Sequence, residues 1–335
     1  MIKQKLKIVS WNINGFRAAI KKGFYDKIKD INPDIFCLQE IKAEDTIMQE
    51  LYQKYLKENN FEKEKDQENH LFEANLEKNT QKIYLQNWSS CTLKKGYSGV
   101  LIGVLQNSKT VQNLSFEKTG QEEIDNEGRI LIAKFEIKNS KNLKIALING
   151  YYPQGGRGQY RIDYKLQFYS KIYEISEQLQ KDGYKIILTG DFNTTVIDID
   201  LARAKENKQT TGCLPEERLA LSWLLNLSPE LFQEYQDRGF FVENFQASPD
   251  LYQKLKKTRE NKSLNLIDGF RYFYPEQKDK YTYWDQITRA RDRNVGWRID
   301  MFLIDPDLKE YLKDCQILDH IMGSDHCPIC LDLQF

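Results

Sequence analysis

At 335 residues, with 40% apolar side chains and 18 glycines, the chain is long enough for one large α/β domain or two ordinary ones, and its core needs neither disulfides nor a structural metal. Lysine plus arginine number 49 and aspartate plus glutamate 49, so the neutral balance, at a mean hydropathy of −0.65, excludes a histone-like or disordered polycation and leaves only local basic surfaces. There is no run of 18 or more uncharged apolar residues, and the opening MIKQKLKIVS lacks a long apolar signal, which sets the expectation of a cytoplasmic protein without a membrane partner.

Strand-length apolar stretches recur from end to end. The first, LKIVSWNI over 6–13, leads into a helix expected over 18–30 that stops before Asn32-Pro33. Residues 16–29 carry Arg17, Lys21, Lys22, Lys27 and Lys29 against Asp26 alone, a basic face that is either solvated or anion-binding. DIFCLQE (34–40) is the second strand, and a helix runs on from 44 into an excursion, 50–82, dense in mixed charge. The strands 98–105 and 129–137 read as hairpin-like neighbours, because no crossover helix separates them. After a strand at 143–151, Ile162, Leu166, Tyr169, Ile172, Ile175 and Leu179 recur at steps of three and four, predicting a long helix that ends at Asp182-Gly183. A strand at 184–193 follows, then a helix over 215–227 with Pro215 in its first turn and Glu216 and Glu217 near its positive end.

A second unusual stretch covers 228–264; within it 251–262 carries Lys254, Lys256, Lys257, Arg259 and Lys262 against Glu260, a basic helix suited to supplementing backbone binding. The last strands fall at 297–305 and 328–333. Neither long stretch looks like an independent domain, so residues 1–335 form one domain, in which two mainly antiparallel sheets pack face to face with helices outside.

Polar residues stand at strand ends where the pattern calls for apolar ones: Asn12 and Asn14, Glu40, Asp191 and Asn193, Asp300, and Asp325 with His326. Each alone reads equally well as a cap or turn former, but a carboxylate beside an apolar strand is costly unless paired or bound to metal, and five strand ends share the feature. The chain has three histidines, and only His326 is flanked by an acid and a Gly-Ser turn. Many oxygen donors with one histidine suit Mg²⁺ or Mn²⁺ better than zinc, and a hard cation with carboxylates points to hydrolysis of a phosphate ester. Cys327 and Cys330 imitate a metal-binding pair, but no second pair has zinc-like spacing, and all six cysteines read as free thiols.

The stretches IVSWNINGFRA (8–18), FCLQEIKA (36–43), GYSGVLI (96–102), EGRILIAKF (127–135), INGYYPQGG (148–156), ILTGDFN (187–193), TTGCLPEER (210–218), NVGWRIDMFLI (294–304) and GSDHCPI (323–329) resemble the exonuclease III family of apurinic/apyrimidinic DNA endonucleases. They span the chain nearly end to end; Asn14 and Gln154 are most similar to the bacterial variety. The resemblance implies a four-layer α/β-sandwich of the DNase I-like kind and a Mg²⁺-dependent phosphodiesterase, with Mn²⁺ able to substitute. It would incise double-stranded DNA 5′ to an abasic site, with 3′ to 5′ exonuclease and 3′-end-cleaning activity, as a monomer. By the same resemblance Glu40 binds the ion with Asn14 and Asp325 near it; Asp191, helped by Asn193, deprotonates the attacking water. His326, held by Asp300, contacts the phosphate; Asn12 orders the network; and Tyr151 acts near the leaving oxygen, as a phenol of lowered pKa. Arg17, Lys21, Arg157, Arg161, Gln154 and Arg298 are implied as DNA contacts, and Tyr283, Trp297 and Ile299 as the apolar pocket for a baseless sugar. A relative acting on another phosphoester, such as an inositol or sphingomyelin phosphodiesterase, shares the oxygen-ligand site; NVGWRID, RGQYR and the basic 289–298 segment favour DNA.

Overall fold

The structure, a computed structural model, describes residues 4–59, 82–140, 142–226 and 263–335, with positions 250, 251, 254 and 257. Residues 60–81 of the 50–82 excursion and most of 228–264 lie outside the described residues, and of the basic 251–262 segment only positions 251, 254 and 257 are described.

Two six-stranded sheets form the centre. With strands numbered in chain order, the first runs Leu312–Ile317 (β11), Ile329–Gln334 (β12), Lys5–Asn12 (β1), Ile35–Gln39 (β2), Val100–Leu105 (β4) and Tyr84–Ser89 (β3). The second runs Val111–Glu117 (β5), Ile130–Ile137 (β6), Lys144–Tyr151 (β7), Tyr184–Asp191 (β8), Asp300–Ile304 (β10) and Ile267–Asp268 (β9). All neighbours are antiparallel except β1–β2 and β7–β8. Both parallel pairs are joined through helices, because a parallel return needs a crossover. Phe16–Lys21 (α1) and Phe24–Ile31 (α2) bridge the first, and Gln159–Lys181 (α5, after the short Glu122–Asp125, α4, between β5 and β6) bridges the second. The expected architecture, two packed and mainly antiparallel sheets flanked by helices, is what the chain forms.

The near-continuous apolar strands follow from burial on both faces. Ile8, Ile35, Cys37, Val100, Ile102, Leu131, Ala133, Ile145, Leu147, Ile187 and Phe302 turn into the space between the sheets. Their neighbours Val9, Phe36, Leu38 and Leu101 pack outward against α1, α2 and Asp45–Glu58 (α3), while Ile132, Ala146, Ile148, Ile186 and Leu188 pack against α5 and Pro215–Ser222 (α6).

Four differences from the sequence reading have physical causes. The helix expected over 18–30 is two, α1 and α2, broken where Gly23 takes φ +76°. The helix expected to 227 ends at Ser222, after which Leu225 bridges to Leu266. Strands 98–105 and 129–137 are not partners: β4 pairs with β2 and β3, β6 with β5 and β7, in opposite sheets. The eight predicted strands are the eight interior ones, and the four missed, β3, β5, β9 and β11, are the sheet edges. Edge strands are short or half-exposed and carry polar side chains, as in VQNLSFE of β5 and LKDCQI of β11, so their alternation is weak. No helix among the described residues is long and apolar enough to cross a membrane. All six cysteines are free and buried.

Candidate active site

Sheet register, not sequence proximity, gathers the polar strand ends. Tyr151 of β7 lies opposite Asp191 of β8, and Asp191 opposite Asp300 of β10. In the facing sheet Asn12 closes β1 opposite Gln39 of β2, and Glu40 follows in the left-handed region at φ +53°. A polar bond crosses the inter-sheet core just below: Gln39 Nε2 donates to Asn149 Oδ1 at 2.7 Å, and Asn149 Nδ2 donates to the carbonyls of Leu38 and Leu101.

Asn12 ties the two sheets together at this end. Its Nδ2 donates to Glu40 Oε1 and to Asp191 Oδ2, both at 2.9 Å, while Asn193 N donates to Asp191 Oδ1 at 2.9 Å. His326 Nδ1 donates to Asp300 Oδ2 at 2.8 Å, its Nε2 lies 3.8 Å from Asp191 Oδ2, and Trp11 Nε1 supports the His326 carbonyl at 3.0 Å. Asp191, Asp300 and His326 are buried.

Burial shifts each group, and the neighbours decide the direction. Desolvation raises Asp191 above the ordinary carboxylate range, against the pull of His326 and with that of Asp300 and Glu40. For His326 desolvation lowers the pKa, but the Asp300 carboxylate and then Asp191 and Asp325 outweigh it and favour the imidazolium. Burial likewise opposes the charge on Glu40, yet Lys42 and Asn12 hold it below its usual value. Tyr151 corrects an expectation: burial first and the Glu40 carboxylate second push its phenol well up, not down, although Arg129 sits 4.8 Å over its ring.

Glu40, Asp191 and His326 offer ligand atoms that all lie within 4.8 Å of one another. Two carboxylates this close suit a divalent cation, and Asp300, paired with His326 through Oδ2, leaves its buried Oδ1 without a hydrogen-bond partner among the described residues. Asn14 and Asp325 stand to one side, with Asn14 Nδ2 3.1 Å from both Asp325 oxygens. The link between them and Glu40 is Lys42, a residue the sequence reading missed: its ammonium lies 2.5 Å from Glu40 Oε2 and 2.5 Å from Asn14 Oδ1. Its place in QEIK, two residues after Glu40, was the available signal.

An apolar shelf adjoins His326. Single antiparallel bridges join Leu201 to Trp297, Trp297 to Tyr283 and Tyr283 to His326, so four chain segments lie side by side. The Tyr283 ring centroid is 4.9 Å from that of His326. The Trp297 ring lies against Gly212, where a Cβ would come within 3.2 Å of it. Ile299 is buried below, its N–H donating to Thr282 Oγ1 at 3.0 Å. Arg17, Lys21, Gln154 and Arg157 are exposed. Arg161 is half-buried and paired to Glu127 at 3.2 Å. Arg298 is a second correction: it is fully buried and spends four of its five N–H donors on Asp200 and Asp268, so it does not stand on a surface where it could meet a DNA phosphate. Ile287, also missed, is 93% exposed in the loop after Trp284.

The sequence profile of the Endonuclease/Exonuclease/phosphatase family matches residues 9–326. An exodeoxyribonuclease of Bacillus subtilis is 30% identical over 326 residues, covering 97% of this chain and 98% of that protein. The DNA repair nuclease APEX1 of Danio rerio is also 30% identical, over 339 residues, covering 98% of this chain and 82% of its own. Identity is therefore the same to a bacterial and a vertebrate relative, and does not single out the bacterial members. Among solved structures, the AP endonuclease LMAP of Leishmania major superposes with a TM-score of 0.70 at 25% identity, covering 99% of this chain and 88% of that one.

Proposed function

Since the chain belongs to the endonuclease/exonuclease/phosphatase family, and is exonuclease III-like within it, we propose that it is a DNA-repair phosphodiesterase that incises double-stranded DNA on the 5′ side of an abasic site. The product carries a 3′-hydroxyl, and the same site trims 3′ ends. The observation that carries this assignment is the apolar shelf of Tyr283 and Trp297 abutting His326: aromatic rings beside an imidazolium that can meet a phosphate suit a sugar without a base.

Glu40, with Asp191 beside it, would hold the Mg²⁺ or Mn²⁺ ion, which when bound would supply positive charge to the phosphate oxygens, while His326, whose ring nitrogens both carry protons, would stand next to the ion without ligating it. The chain's own groups divide the remaining work. Asp191, kept in place by Asn12 and Asn193, accepts a proton from the attacking water, and its raised pKa suits a base working near neutrality. His326, its ring fixed by Asp300, donates from Nε2 to the phosphate. Tyr151 keeps its proton and so donates to the departing oxygen. Arg17, Lys21, Gln154 and Arg157 face solvent and engage the backbone of the duplex.

Cleavage of an abasic duplex and of an intact duplex of equal length, with and without EDTA, tests this. We expect the abasic duplex to be cut far faster, EDTA to abolish cutting, Mg²⁺ to restore it, and Trp297→Ala to narrow the preference. Equal rates on the two duplexes, or preferential hydrolysis of an inositol or lipid phosphoester, would refute the proposal.

A further inference from the structure

We propose that Arg298, although it touches neither substrate nor cation, is the positioning residue that sets the apolar shelf against His326; this rests on the function proposed above. In an extended segment alternate side chains point to opposite faces, so between Trp297 and Ile299 an arginine must turn the other way. It turns into the protein. Nε and Nη2 bond Asp200 at 2.7 and 2.9 Å, and Nη1 and Nη2 bond Asp268 at 3.2 and 2.7 Å. The planar fork thereby fixes the direction of two carboxylates at once, which a lysine ammonium cannot do.

Asp200 passes the constraint on. Its carboxylate also accepts from Arg271 Nε at 3.0 Å and from Ile197 N at 3.2 Å, and its carbonyl accepts from Arg298 N at 2.8 Å. The next residue, Leu201, bridges Trp297, and Ala202 N donates to the Gly296 carbonyl at 3.0 Å. The guanidinium therefore locks segment 200–202 to segment 296–298, the outer pair of the ladder that ends on His326. Well-packed apolar residues could fill such a site with equal stability; an ion cluster is distinguished by fixed angles. Glu40 and Asn12 are held instead from β1 and β2 in the other sheet, and Asp191 by its register between β7 and β10. Loosening the clamp should thus disturb how the shelf receives a sugar more than it disturbs the chemistry.

The experiment compares wild type, Arg298→Lys and Asp268→Asn, each as the full chain with Mg²⁺, in steady-state incision of an abasic duplex and in 3′-nucleotide release from an intact duplex. For Arg298→Lys, kcat/KM on the abasic duplex should fall about 10- to 100-fold, through a raised KM, while release from the intact duplex changes little. Asp268→Asn, which leaves Asp200 in place, should give a smaller loss in the same direction and carries the test if thermal melting shows that Arg298→Lys does not fold. Folded variants that keep the abasic preference, or lose both activities in equal proportion, would overturn the inference alone. A wild type that cuts both duplexes alike overturns the functional proposal and this inference with it.

Discussion

The residues of the site differ in how far their neighbours determine them. Glu40 is the sharpest case, because its carboxylate has one oxygen on Asn12 and the other on Lys42, and no apolar neighbour depends on its charge. Glu40→Gln keeps the shape and the Asn12 bond but removes the charge that a cation requires. The metal-supported rate should drop by about 100-fold or more, with a matching rightward shift in a Mn²⁺ titration and an unchanged melting temperature without metal. A Mn²⁺ titration identical to wild type would place the cation elsewhere. Asn12, Glu40, Asp191, Asp300 and His326 are visible as polar residues at the ends of apolar strands, Tyr151 only through the family resemblance, and the structure brings them together. Arg298 was misread from a different signal, its place in the basic 289–298 stretch and the family resemblance. A basic residue in a basic stretch looks solvated until the carboxylates of Asp200 and Asp268, distant in sequence, are seen to enclose it.

Among the elements, the parallel pair β7–β8 positions Asp191 through backbone contact. Gly150 and Gly190 are direct partners, and a Cβ on Gly190 would sit 1.9 Å from the Gly150 carbonyl oxygen, at a backbone φ of +134°. Gly190→Ala must therefore push the strands apart one residue before Asp191. A loss of about 3 kcal/mol or more is expected, read as a lower urea midpoint at unchanged slope, with activity falling beyond what the unfolded fraction explains. A midpoint within error of wild type would show that the pair gives way freely. Interior strands were legible because two buried faces demand continuous apolar sequence; edge strands, with one flank in solvent, impose no such demand.

At the scale of the whole molecule, acid stability depends on the buried charges beneath the shelf. Burial alone would raise Asp200, but Arg298 and then Arg271 outweigh it and hold the group below its ordinary value of 3.8. A carboxylate depressed in the folded state adds stability that is complete above the unfolded value and lost as pH falls through the folded one. Asp200→Asn should therefore cost about 3 to 5 kcal/mol at pH 7, where it leaves two arginines facing a neutral amide. The gap from wild type should narrow as pH drops below about 4, because Asp200 of the unfolded chain then takes up a proton while the folded carboxylate stays charged, which favours unfolding of the wild type alone. Urea melts of both proteins between pH 7 and pH 3 measure it; a gap constant across that range would mean that the folded protein does not hold Asp200 below its ordinary value.

Local periodicity, or a break in it, is enough to give the class of the fold, the interior strands, the long helix α5 and the identity of the polar strand ends. It could not determine which strands are partners. The stretches 98–105 and 129–137 look adjacent in the chain, yet strand pairing is settled by which apolar faces fit between and outside two sheets, a property of the assembled layers. The same holds for charge. Whether an arginine meets water or a carboxylate, and whether a phenol beside Glu40 is pushed up or down, depends on groups brought close only by register, and so the surroundings of Arg298, Lys42 and Tyr151 could be read only from the assembled sheets.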